Sequence, residues 1–163
     1  MNRRELLLGC AAIPVLWLTG CGEKDAGHGP GKIHWDRDTC VRCNMIISDR
    51  RFAAQIRGGE MGGEMGGKKG GKTGVGKRKL YKFDDIGCAL FWLKEQKIPW
   101  ADAPDTEIWV TDAKTGEWLE ARTAHYIAGK TTPMLYGYGA LREPVAGSVD
   151  FKTMKAAILA KGR

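Results

Sequence analysis

The sequence has few of the residues on which most hydrolytic enzymes depend. Its 163 residues include only three histidines. No grouping of serine, histidine and acid, and no pair of facing carboxylates, stands out along the chain. The sequence therefore carries no signature of a catalytic site, and we expect a binding protein rather than an enzyme.

A long apolar segment is also missing. The longest mostly apolar stretch, residues 6–18, has about 13 residues, whereas a membrane-spanning helix needs about 20. This stretch follows two arginines and precedes a Leu-Thr-Gly-Cys box that ends at Cys21, an order typical of a bacterial lipoprotein signal. We therefore predict a signal peptide at residues 1–20, exported by either the general or the twin-arginine route. Lipidation of Cys21 would then anchor the chain to a membrane, facing the periplasm.

Acidic residues are outnumbered, with 19 Asp and Glu against 26 Lys and Arg, which gives a net charge of +7. Much of the excess lies between residues 68 and 79, where no aromatic residue is interleaved. Surfaces that bind single-stranded nucleic acid combine basic with aromatic side chains, and the predicted compartment holds no nucleic acid. We expect a solvated loop that can approach anionic lipid headgroups, and no nucleic-acid partner.

Cysteines are few, and the number left after export is odd. Of the five, Cys10 leaves with the signal peptide and Cys21 takes the lipid, so that Cys40, Cys43 and Cys88 remain as free thiols. A disulfide framework needs pairs, whereas a metal site or a reactive thiol tolerates an odd count. Cys88 lies in an apolar segment and is expected to pack as a small hydrophobic residue.

Residues 51–57 and 79–83 are typical of two strands that form a hairpin. Between them, residues 58–79 are rich in glycine and lysine, which predicts a flexible insert at the tip of the hairpin. Residues 21–37 are polar and rich in turn-forming residues, so we predict a lipidated N-terminus and a tether. The folded domain is expected to span residues 38–163.

The rest of the chain mixes helix and strand patterns, and strands outnumber helices. This pattern predicts an α+β fold. The expected elements are a helix from residue 86 to about 96, a hairpin of residues 107–111 and 117–121, a continuation of that sheet at 125–128, and a terminal helix within 148–160.

Two thiols and a thioether lie within six positions, at Cys40, Cys43 and Met45. These polarisable donors suit Cu(I) better than hard cations, and a methionine beside a cysteine argues against a four-thiolate zinc site. In extended backbone the side chains of Cys43 and Met45 point to the same side, so both can bind one ion.

A third donor would complete a three-coordinate site for Cu(I). The candidates are the thioether of Met134 and an imidazole from His125 or His34, and Cys40 is a further candidate ligand. The sequence alone does not select among them.

The pair Cys40 and Cys43 also has the spacing of a thiol-disulfide redox protein. That alternative function requires the first cysteine at the N-terminus of a helix in a βαβ context. A strand-rich body follows instead, which favours metal binding. A third class, a purely structural lipoprotein, predicts no stoichiometric copper.

Short motifs follow one another along most of the chain: Asp38-x-Cys40-x-x-Cys43-x-Met45, Arg51-Phe52-Ala53-Ala54-Gln55, Phe83-Asp84-Asp85-Ile86-Gly87-Cys88, Val110-Thr111-Asp112, Gly116-Glu117-Trp118 and Thr132-Pro133-Met134. Together they resemble the NosL family of copper-binding lipoproteins. The resemblance implies two small lobes of ββαβ-type topology. Because the stretch after Gly139 is short, the second lobe is expected to be truncated.

The resemblance also implies a function and a site. A member of this family would be anchored in the envelope, at the outer membrane, and would hold one Cu(I) taken from a copper donor. It would pass this ion to nitrous oxide reductase during assembly of the copper centres of that enzyme, in denitrification. Carried over to this sequence, the expected ligands are Cys43 and Met45, with Met134 arriving from the second lobe.

Overall fold

The computed structural model describes residues 27–60 and 78–162 of the chain. The predicted signal peptide, the lipidation site Cys21 and the middle of the predicted insert lie outside the described residues. Within the described ranges, no helix has the length and apolar character needed to cross a membrane. These residues form two helices and two small antiparallel sheets, so the predicted α+β class is confirmed.

Four antiparallel strands form the larger sheet: β1 (Ala54–Glu60), β2 (Arg78–Phe83), β3 (Glu107–Thr111) and β4 (Trp118–Glu120). Their order across the sheet is β2-β1-β3-β4. Both predicted hairpins are confirmed, and β1 and β2 extend a few residues into the predicted insert. Ala54 pairs with both Phe83 and Val110, so the last residue of β2 lies beside the beginning of β1.

The first helix, α1 (Ile86–Glu95), begins directly after β2. Asp85 caps it, because its carboxylate accepts a hydrogen bond of 2.9 Å from the backbone N–H of Gly87. Residues 86–93 are all buried, since α1 packs against β1 and β2 on one side and against the second lobe on the other. The predicted helix is therefore confirmed, and it lies at the centre of the core.

The second lobe contains β5 (His125–Ala128), β6 (Tyr138–Leu141) and the helix α2 (Phe151–Ala160). The prediction that residues 125–128 continue the larger sheet is wrong, because β5 pairs with β6 in a separate two-stranded sheet. A turn after β4 redirects the chain: the backbone N–H groups of Thr123 and Ala124 both bond to the carbonyl of Glu120. The predicted terminal helix is confirmed.

The order of elements agrees with two unequal lobes. β1, β2, α1 and β3 form a ββαβ unit, whereas β5, β6 and α2 form a ββα unit. The lobes meet where the ring of Tyr136 packs against the Phe91 ring on α1, with centroids 5.5 Å apart. Gly87 permits this contact, because a Cβ atom at this position would overlap the Tyr136 ring. The N-terminal half of α1 is therefore pressed against the second lobe.

Part of the predicted tether packs on the larger sheet. The amide side chain of Gln55 exchanges two hydrogen bonds of 2.8 Å with the backbone of Gly31, and Ile33 is buried. This packing brings residues 34–38 close to β2, directly before the cysteine motif.

Candidate metal centre

Cys40 and Cys43 lie in a tight loop, residues 38–46, which we call the thiol loop. The backbone N–H of Cys40 bonds to the carbonyl of Met45 at 2.8 Å, and the N–H of Asn44 bonds to the carbonyl of Cys40 at 2.9 Å. Asn44 adopts a positive φ of 61°, which asparagine tolerates better than most residues. The motif therefore folds back on itself and turns both cysteines toward the protein.

Two long-range contacts fix the thiol loop along the outer edge of β2. The backbone N–H of Val41 bonds to the carbonyl of Lys82 at 2.9 Å. The Lys82 ammonium forms an ion pair of 2.7 Å with the carboxylate of Asp38. Because β2 leads directly into α1, these contacts place the loop beside the N-terminus of that helix.

The thiol loop and the start of α1 together form a cluster of four potential metal ligands. One ligand atom from each of Cys40, Cys43, Asp84 and Cys88 lies within 4.8 Å of the others. The Cys43 sulfur is 3.5 and 3.6 Å from the two carboxylate oxygens of Asp84. Cys40 and Cys88 are completely buried and Asp84 nearly so, whereas Cys43 is half-buried. All three cysteines are free thiols.

The three thiols differ in pKa for physical reasons. The Cys88 thiol donates a hydrogen bond to Cys40, and the backbone N–H groups of Cys43 and Asp84 also stabilise the Cys40 thiolate. These interactions outweigh the effect of burial and lower the pKa of Cys40 to about 6. Burial raises the pKa of Cys43 to about 11. The interaction with Cys40, together with burial, raises the pKa of Cys88. At neutral pH the cluster therefore holds one thiolate and two thiols.

The donor set determines what the cluster can bind. Three sulfurs and one carboxylate suit a thiophilic ion such as Cu(I) or Zn²⁺ and suit Mg²⁺ or Ca²⁺ poorly. Sulfurs bound to one tetrahedral ion at about 2.3 Å are about 3.8 Å apart. The cluster, with separations of up to 4.8 Å, needs only a small contraction around an ion.

Of the ligands predicted from sequence, the structure brings Cys40 and Cys43 together. Met45 is close in the chain, but its side chain lies near the surface and the residue is 48% exposed. Met134 is half-buried and packs against the core from the second lobe. The ligand role of the two methionines stays a prediction.

The predicted histidine ligands lie apart from the cluster. The imidazole of His34 is largely exposed and its Nδ1 atom is 3.5 Å from the carboxylate of Asp38. His125 is the first residue of β5, where it pairs with Leu141. Neither joins the group of potential ligands found among the described residues.

Sequence reasoning treated Cys88 as a packing residue and gave Asp84 no ligand role. Cys88 is buried, as expected, but its thiol also faces the other two cysteines. Asp84 directly follows β2 and Cys88 lies about one helical turn after it, but this spacing does not reveal that the thiol loop covers the same side of α1.

The backbone of Met134 lies near Asp85, which follows the cluster residue Asp84 in the chain. Burial raises the pKa of Asp85, although the nearby Thr132 hydroxyl and the backbone N–H of Met134 act in the opposite direction. The Oδ2 atom of Asp85 is buried without a hydrogen-bond partner among the described residues. The segment that carries Met134 therefore borders the start of α1.

The fold and the cluster define a small α+β protein with three cysteines and one aspartate that could hold a metal ion. A comparison with models of known protein families finds no match, and neither does a comparison with curated proteins.

Proposed function

We propose that this protein is a Cu(I) carrier of the cell envelope. The observation that supports the proposal most directly is the convergence of three free thiols from two separate segments, Cys40 and Cys43 from the thiol loop and Cys88 from α1. Thiolates are the donors that Cu(I) prefers, and three of them match a three-coordinate site.

Two methionines in the segments that border the cluster favour copper over zinc. Met45 follows Cys43 by two positions, and Met134 lies in a segment that borders Asp85. Thioethers are ligands for Cu(I), whereas structural zinc sites use cysteine and histidine. In the empty site the Cys43 thiol donates to the Asp84 carboxylate, and in the loaded site this carboxylate would face the bound cation.

The surroundings of the cluster also suit a carrier. Cys40 and Cys88 are inaccessible, while Cys43 is half-buried and Met45 is exposed beside it. An incoming ligand from a partner can therefore approach the ion from the Cys43 side. Neutral thioethers exchange readily, so Met45 is suited to receive the ion first and to release it last.

The biological role follows from the resemblance to the NosL family. The protein would be lipidated at Cys21, face the periplasm at the outer membrane, take Cu(I) from a donor protein and deliver it for assembly of the copper centres of nitrous oxide reductase. This function is transport and requires no catalysis. The sulfur motif and the Thr132-Pro133-Met134 segment carry the resemblance.

A second candidate function is thiol-disulfide exchange, which the low pKa of Cys40 and its proximity to two other thiols favour. The burial of Cys40 argues against it, because an exchanging thiolate must reach a disulfide of a partner. The variant Met45→Ala separates the two. A carrier loses Cu(I) affinity and keeps its thiol chemistry, while a redox protein shows the opposite.

The direct test is an anaerobic Cu(I) titration of the domain lacking residues 1–21, with and without competing Zn²⁺. We expect one tightly bound Cu(I) per chain that Zn²⁺ does not displace, and loss of this binding in Cys43→Ser. Absence of stoichiometric copper in the wild type would overturn the proposal. Displacement of copper by an equal amount of Zn²⁺ would identify a zinc site instead.

A further inference from the structure

Arg42 lies between the two cysteines of the thiol loop, and its side chain crosses to α1. Its Nε and Nη2 atoms donate hydrogen bonds of 2.9 and 2.7 Å to the two carboxylate oxygens of Glu95, in the last turn of the helix. A bidentate pair of this kind fixes the orientation of both side chains. Arg42 therefore connects the loop to the far end of the helix that carries Cys88.

The same guanidinium also reaches the second lobe. Its Nη1 atom donates a hydrogen bond of 2.8 Å to the hydroxyl of Tyr136, and its centre lies 5.0 Å from the centroid of the Phe91 ring. The Arg42 side chain is only 17% exposed. The Glu95 side chain is 45% exposed, so the contact with Tyr136 is the better shielded of the two. Three elements of the fold thus meet at one side chain.

The charge of Arg42 is placed beside the cluster as well. The guanidinium lies close enough to the Cys88 sulfur for the two groups to interact directly. Three thiolates around one Cu(I) would have a net charge of −2, and a buried negative charge is costly unless a cation is near. Arg42 is thus positioned to favour the loaded form of the site.

Among the described residues, the hydrogen bond and ion pair that join the thiol loop to β2 both lie in the first part of the loop. They are the bond from Val41 to Lys82 and the ion pair between Asp38 and Lys82, both of which precede Cys43 in the chain. The Cys43 thiol also donates to Asp84, at 3.5 Å, but this bond is lost when the thiol gives up its proton to bind a metal. In the loaded site, Arg42 then remains as the side chain that joins this part of the loop to α1.

We propose that Arg42 is a positioning residue that latches the thiol loop onto α1 and Tyr136, and so controls how fast a bound ion leaves. This inference rests on the proposed metal site. An ion held by Cys43 from the loop and Cys88 from the helix can leave only when the loop and the helix separate. The ion and Arg42 resist this separation together, so loss of Arg42 speeds release.

A matched control exists in the same chain. Arg51 also forms a bidentate pair with a carboxylate, that of Asp49, and its guanidinium lies 5.1 Å from the Phe52 ring. Neither Arg51 nor Asp49 is among the residues of the cluster. Arg51→Ala therefore removes the same kind of interaction at a position where the proposal predicts no change in the rate of metal release.

The test measures the rate at which the loaded domain releases Cu(I) to excess bicinchoninate, under anaerobic conditions. We expect release about tenfold faster in Arg42→Ala than in the wild type, no change in Arg51→Ala, and an intermediate rate in Arg42→Lys, which keeps the charge but not the bidentate geometry. The double variant Glu95→Gln with Tyr136→Phe should release about as fast as Arg42→Ala, and it retains Arg42 itself.

Equal release rates for wild type, Arg42→Ala and the double variant would overturn the latch. The same experiment with Cd²⁺, followed by thiolate-to-cadmium absorbance, separates this result from a failure of the proposed function. If the wild type binds Cd²⁺ but no Cu(I), the copper proposal fails and the latch is still tested by cadmium release. Thermal unfolding of the apo variants shows whether a rate change merely follows a loss of stability.

Discussion

Two loops border the N-terminus of α1, and each carries a methionine, but they present their side chains differently. The thiol loop buries Cys40 and leaves Met45 exposed. The other loop, residues 131–135, which we call the proline loop, keeps Met134 half-buried and exposes Leu135 instead. We infer a division of roles, in which the cysteines of the thiol loop and α1 would provide the permanent donors and Met134 of the proline loop an adjustable one.

Backbone geometry explains part of the difference in which side chains the two loops expose. Each loop contains a non-glycine residue with positive φ, Asn44 at 61° and Leu135 at 58°. Asparagine adopts this conformation at little cost, whereas leucine does so only when its surroundings require it. In the proline loop the N–H of Leu135 bonds to the carbonyl of Thr132 at 3.0 Å, which closes the turn.

The largest effect should come from the permanent donors. Because Cys88 would supply a completely buried sulfur to the ion, we expect Cys88→Ser to lower Cu(I) affinity by more than about 100-fold, beyond the usual effect of changing a residue that only supports a ligand. Competition with a chromogenic Cu(I) chelator measures this change. Wild-type affinity in Cys88→Ser would mean that α1 supplies no ligand. The distinction between permanent and adjustable donors would then no longer hold.

The pH dependence of binding should be nearly as large. With the pKa of Cys40 at about 6, that of Cys43 at about 11 and that of Cys88 raised, three-thiolate binding releases two protons at pH 7 to 8. Affinity should therefore rise by about 100-fold per pH unit in that range, and more steeply below pH 6, where Cys40 also carries a proton. Calorimetry in buffers of different ionisation enthalpy counts the protons, and release of none would contradict the thiolate site.

The contact between the lobes can be tested through Gly87. A methyl group at this position overlaps the Tyr136 ring, so Gly87→Ala should destabilise the fold by about 1–3 kcal/mol, despite the better helix propensity of alanine. Chemical denaturation measures the loss. A smaller side chain should relieve the overlap, so Tyr136→Leu combined with Gly87→Ala should cost less than the sum of the two single changes.

The smallest effect should come from the adjustable donor. If the proline loop offers its thioether to the ion, Met134→Leu should weaken Cu(I) binding by about tenfold while the volume of the side chain is kept. Met154→Leu is the control, since Met154 is a completely buried residue of α2. Equal affinity in both variants would restrict the site to the thiol loop and α1.

Local patterns predicted most of the elements. Local strand patterns were sufficient for the β1–β2 and β3–β4 hairpins, and the apolar segment from residue 86 was sufficient for α1. The partner of β5 was not predictable, because it depends on the turn after Glu120 rather than on the strand itself. A strand pattern indicates that a segment pairs with another strand, but it does not indicate which strand is the partner.

The candidate site was predicted only in part, for a similar reason. The spacing of Cys40 and Cys43 is local and was recognised. The contribution of Cys88 depends on two long-range contacts. Val41 bonds to Lys82, which is 41 positions away in the chain, and Arg42 bonds to Glu95, which is 53 positions away. No periodicity in the sequence reports such contacts, so a cysteine in an apolar helix was indistinguishable from a packing residue.

On the proposed function, sulfurs from the thiol loop and from α1 bind one Cu(I). X-ray absorption at the copper edge of the anaerobically loaded domain tests it most directly, because it counts the sulfur neighbours and measures their distance. We predict at least three sulfur neighbours at about 2.3 Å, and one fewer in Cys88→Ser. A shell of nitrogen and oxygen alone, or a sulfur count that Cys88→Ser leaves unchanged, would contradict the account.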